Sequence, residues 1–137
     1  MKIYYYDVKY RVRDWRKIKS LIIKVISENK YKPGDLNYIV TNDKEIQELN
    51  KKYLKHDYPT DVLSFRYSKG QIIDGEIFIS IETVKRNSKI YKTTVKNELL
   101  RVIIHGTLHL CGFKDRKKAE KEIIRKAEDY WLKYIKY

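Results

Sequence analysis

Between Leu99 and Leu110 the chain is apolar enough to demand burial, yet two histidines interrupt it four residues apart, at His105 and His109. The run is too long for one strand. Its apolar positions Val95, Leu99, Val102 and Ile103 recur at helical spacing. The spacing predicts a helix capped by Thr94 and running to about Leu110, with Gly112 just past its end. Four residues is about one helical turn, so both imidazoles leave one face at adjacent levels. Imidazoles in so apolar a stretch need polar partners.

The partner is legible a few residues on. Gly112 lets the chain turn back, and Asp115 follows His109 by six residues. The pattern H-x-x-x-H-x-x-G-x-x-D matches the ligand spacing of metzincin-type sites, with an acid as third ligand. Three protein ligands of these types suit zinc and leave a tetrahedral ion one open position. His105, His109 and Asp115 are therefore the expected ligands of one ion per chain. In H-E-x-x-H peptidases the residue after the first histidine is the general base. Here that residue is Gly106.

The rest of the chain predicts a frame for this helix. Met1 to Tyr10 reads as a strand. Asp14 is placed to cap a helix with the stripe Trp15, Ile18, Leu21, Ile22, Val25 and Ile26. Pro33-Gly34 reads as a turn, and Tyr38-Ile39-Val40 as a short buried strand. Asn42 with Glu45 opens a helix through Ile46, Leu49 and Tyr53. Val62 to Phe65 and Ile72 to Ser80 read as strands, and Ser80 caps a helix holding Ile81 and Val84. A last helix is expected from about Asp115, packing Ala119, Ile123, Ala127, Tyr130 and Tyr134. The order is that of an α+β fold, a small mixed β-sheet with packed helices, in one domain over residues 1–137. Strand order is not readable.

Charge narrows the partners. Lys plus Arg is 31 against 18 acids, a net +13, which is the footprint expected of a nucleic-acid binder. Aromatics at 13% exclude a disordered polycation. No stretch is long and apolar enough to cross a membrane, and the start shows no basic-then-apolar leader pattern, so a cytoplasmic protein is expected. The single cysteine, Cys111, reads as a small packing residue rather than a ligand.

Three segments carry a family likeness. His105 to Asp115 resembles the signature H-G-x-L-H-L-x-G-Y-D-H of the YbeY family, bacterial metal-dependent endoribonucleases of rRNA maturation. Pro59-Thr60-Asp61-Val62-Leu63-Ser64-Phe65 resembles that family's second motif, and Asp74-Gly75-Glu76-Ile77-Phe78-Ile79-Ser80 its third. They stand in family order, and the likeness covers roughly residues 36–131. Asp115 occupies the place of the family's third histidine, Lys114 that of an aspartate, Leu54 that of an arginine, and Arg66 that of a proline.

The resemblance implies a single-strand-specific endoribonuclease with one bound zinc ion. It implies a role in processing the 3′ end of small-subunit rRNA and in ribosome quality control, with RNA or the small subunit as partner. Arg66, Arg116 and Lys117 are the candidate phosphate contacts. Asp61 and Glu98 are the candidate catalytic acids, with Glu98 equally placed to orient His105 or to pair with Arg101. His56 reads as a solvated loop residue or a further polar group of the cleft. Two rival readings remain open: a metallohydrolase of peptides or small molecules, and a non-catalytic ribosome-assembly factor with a structural metal.

Overall fold

The structure is a computed structural model that describes residues 1–54 and 60–135. His56 lies outside the described residues. Among the described residues, four strands form one sheet: β1 (Lys2–Tyr5), β2 (Lys32–Thr41), β3 (Val62–Arg66) and β4 (Ile72–Ser80), in the order β1-β2-β4-β3. β1, β2 and β4 run parallel, and β3 pairs antiparallel with β4 at the edge. The helices are α1 (Trp15–Glu28), α2 (Asp43–Leu54), α3 (Ile81–Ile90), α4 (Val95–Leu110) and α5 (Lys118–Leu132). This is the mixed α+β architecture expected from the element order.

The central helix is α4. It packs against α1, α3, α5 and two strands, which its all-round apolar sequence requires. Leu36, Tyr38, Val40, Ile73, Ile77 and Ile79 supply the sheet side of the core. The stripe Ile18, Leu21, Ile22, Val25 and Ile26 of α1 is buried as its spacing predicts. Each such side chain contributes about 1.5–3 kcal/mol on burial. α4 begins where Thr94 accepts the Asn97 N–H at 3.0 Å. It ends where Gly112 takes φ +96, a conformation glycine adopts without strain. Ser80 caps α3 by accepting the Thr83 N–H, and Asn42 caps α2 by accepting from the Glu45 N–H.

Four expectations are corrected. The first strand stops at Tyr5, and Asp7 follows with positive φ. Asp14 precedes α1 in the left-handed region with no side-chain cap, so only its carbonyl serves the helix, accepting from the Ile18 N–H. Pro33-Gly34 is not a turn but part of β2, at a register shift between Pro33 and Leu36. There the Asp74 carboxylate accepts the Asp35 N–H at 2.7 Å, and a Cβ on Gly34 would stand 2.2 Å from that carboxylate. The glycine thus serves close approach within a bulge.

The fourth correction is in α5. It starts at Lys118, and its buried face is Ile124, Glu128 and Trp131. Of the expected stripe, Ala127 packs partly against the core, while Ala119, Ile123, Tyr130 and Tyr134 are exposed. The helix is turned by about one residue, which brings a glutamate inside.

Candidate metal centre

His105 and His109 project from the last two turns of α4 toward the loop that carries Asp115. The His105 Nε2 and His109 Nε2 atoms are 3.0 Å apart. Each lies 3.2 Å from Asp115 Oδ2. Among the described residues this is the group whose donor atoms converge as a metal site requires. Turning back at Gly112 delivers the carboxylate: Phe113 N–H donates to the Leu108 carbonyl and Gly112 N–H to that of His109.

The donor set calls for a cation. The Glu128 carboxylate lies 2.6 Å from His105 Nδ1. A carboxylate only accepts, so Nδ1 carries a proton, and with an ion bound the Nε2 lone pair would face the site. Asp115 adds a second acceptor there, and His109 a nitrogen. Such a cluster fits an ion bound by nitrogen and oxygen. Burial opposes a charge on His105, but the Glu128 hydrogen bond and charge, helped by Asp61 and Asp115, raise its pKa above the ordinary value. The surroundings thus favour positive charge at this point.

Glu128 is the functional residue that the sequence reading missed. It is buried in α5 and also accepts from Arg101 at 3.0 Å, while Arg101 donates to Asp129 at 2.7 Å. The chain Arg101–Glu128–His105 holds the ring in one tautomer and one orientation, as the supporting shell of a metal site does. One signal pointed to it: the faces offered by Ile123 and Ile124 compete, and only the second buries an acid on the same side. Glu98, placed by sequence to orient His105 or pair with Arg101, does neither by hydrogen bond among the described residues. Its carboxyl is raised by burial and by repulsion from Asp61.

A cleft of about 900 Å3 opens over the histidines. One wall is Thr60 to Ser64, leading into β3. The other is Phe113 to Lys117. Asp61 faces this cleft, its carboxyl raised by burial against the nearby His105 charge. Arg116, Lys117 and Lys114 rim it. Arg66 lines it too, but its guanidinium donates to the carbonyls of Gly70 and Leu110 and lies over the Tyr31 ring. It closes the β3–β4 hairpin onto the end of α4, so less of its charge is free for a ligand.

Two further positions limit the chemistry. Gly106 faces the sheet, and a Cβ there would stand 2.9 Å from Ile77 Cγ2 and 3.0 Å from Val62 Cγ2. A glutamate at that position would point into packed strands, not the cleft, so no peptidase base fits. Cys111 is buried, its thiol pushed up to about 11 by burial, and it is not in the convergent group. A closed four-ligand zinc site therefore has no cysteine to complete it.

The comparisons agree with this geometry. The family model described as Endoribonuclease YbeY matches residues 4–136. The chain is 43% identical to "Endoribonuclease YbeY" of Flavobacterium psychrophilum, over 93% of this chain and 91% of that one. It is 41% identical to the protein of the same name from Cytophaga hutchinsonii, over 96% and 92%. The solution structure of TM1509 from Thermotoga maritima is 28% identical and superposes with a TM-score of 0.62, covering 98% of this chain and 91% of that one. With the motifs in order, the histidines on one helix and relatives matched nearly end to end, the chain belongs to the endoribonuclease YbeY family.

Proposed function

We propose that residues 1–137 act as one metal-dependent endoribonuclease domain that hydrolyses phosphodiester bonds in single-stranded RNA. His105, His109 and Asp115 hold one zinc ion. The observation that carries this is the convergence of three donor atoms on one point, backed by Glu128, at the floor of an open cleft with a cationic rim. When bound, the ion supplies Lewis acidity, acidifying a water and polarising a phosphoryl oxygen. His105 keeps its lone pair aimed at the ion because Glu128 holds its other proton. Arg66, Arg116 and Lys117, joined by Lys114 on the same rim, bind backbone phosphates and align the strand. Asp61, half-buried beside the histidines with a raised pKa, accepts the proton of the attacking water.

The cellular task we infer is processing of the 3′ end of small-subunit rRNA and ribosome quality control, in the cytoplasm, in keeping with the family. The cleft supports a single strand because its rim charges lie on one wall above one metal point. Metal analysis with an RNA cleavage assay on wild type and His109→Ala tests the reading. About one ion per chain and cleavage lost in a folded variant are expected. A folded His109→Ala protein that cleaves at the wild-type rate would overturn it.

A further inference from the structure

A second cleft lies beyond His105, between the end of α3 and the face of α5 that carries Lys121, Ile124, Arg125 and Glu128. It encloses about 260 Å3 and shares Asp61, His105 and Asp115 with the larger cleft, so the two meet at the metal ligands. One wall carries Asn87 and Tyr91, a residue 59% exposed. The other carries Lys121 and Arg125, one turn apart on α5. Glu98 lines the interior. It is only 4% exposed, and among the described residues no donor reaches its carboxylate, although the charges of Arg101 and Arg125 act on it. Arg101 is committed to Glu128 and Asp129. Its side chain is nine-tenths buried and its carboxylate opens only into this cleft, so it stands as an acceptor available to whatever enters.

We propose that this cleft is a nucleobase subsite, in which the base adjoining the cleaved phosphate is read by Glu98. The inference rests on the endoribonuclease reading. The volume is below the roughly 300–1,000 Å3 of pockets for drug-sized ligands, and so suits one base. A carboxylate accepts from an exocyclic amino group, as from cytosine N4. Uracil presents a carbonyl oxygen at that place, and two acceptors repel. The subsite therefore prefers cytosine to uracil. Tyr91 offers a face for stacking, which every base satisfies. Lys121 and Arg125 hold the flanking phosphates on the rim.

The test uses the metal-loaded protein with oligocytidine and oligouridine strands of equal length, followed by fluorescence anisotropy, alongside cleavage of both. Wild type should bind oligocytidine about tenfold to a hundredfold more tightly, the worth of one charge-assisted hydrogen bond. Glu98→Gln keeps the shape but presents a donor, so the preference should level or invert. Tyr91→Ala, at an exposed position that folding does not need, should weaken both strands about fivefold and leave their ratio alone. A ratio that is the same in wild type and Glu98→Gln would overturn the subsite, even with cleavage intact. A Glu98-dependent preference in a protein that cleaves neither strand would instead keep the subsite and overturn the endoribonuclease reading.

Discussion

Helices α1 and α5 cover the same central helix, yet only one of them obeys its hydrophobic pattern. In α1 the stripe predicted by spacing is the stripe that packs on the core, with Trp15 partly buried at its start, because every inward residue is apolar. In α5 the inward face contains Glu128, and the helix turns away from its alternative stripe of Ala119, Ile123, Tyr130 and Tyr134 to put it there. The difference is what lies opposite. α1 meets aliphatic side chains of the core, which ask only for shape and area. α5 meets Arg101 and His105, which ask for an acceptor. A paired buried carboxylate is kept where it supports a site, and the pattern bends around it.

The variant that should break this comparison most strongly is Glu128→Ala. It leaves Arg101 short of a partner and His105 untethered, and should cost about 3–5 kcal/mol, as loss of one partner from a buried pair does. Metal affinity should fall about 10- to 100-fold with it. Urea unfolding and zinc titration measure the two, and an unchanged zinc affinity would remove Glu128 from the support of the site. Ile22→Ala in α1 should cost about 2–5 kcal/mol through the cavity it leaves, with zinc affinity unaltered in the folded protein.

A pair of neighbours sharpens the rotation of α5. Ile124→Ala should cost about 2–5 kcal/mol, while Ile123→Ala, at an exposed position, should stay within about 0.5 kcal/mol. Equal losses would mean that α5 does not present the face described. Gly106→Ala should cost about 1–3 kcal/mol by overpacking against Ile77 and Val62. Gly106→Glu should lose ribonuclease activity and gain no peptidase activity on a casein assay, since its carboxylate cannot reach the cleft. Metal removal should act on stability without dismantling the fold. Chelation should lower the melting temperature while leaving the helical circular dichroism in place, because the core around α1 and the sheet is built without the ion. Collapse to an unfolded chain on chelation would make the metal structural.

Some of the molecule follows from local physics and was legible in the residues alone. The caps at Ser80 and Thr94, the stop at Gly112, the stripe of α1 and the ligand spacing of His105, His109 and Asp115 each need only a few neighbouring residues and one periodicity. Tertiary structure decided the rest. Pro33-Gly34 became part of a strand because Asp74, 39 positions beyond Asp35, supplies the acceptor its bulge requires. Arg66 also clasps β3 to α4, because the carbonyls of Gly70 and Leu110 lie within its reach while it still lines the cleft. Glu128 became the partner of His105 across 23 positions of sequence. Hydrogen bonds and charges are satisfied by whatever the fold brings near, and sequence separation carries no record of that, whereas an apolar stripe or a helix cap is completed within the segment that bears it.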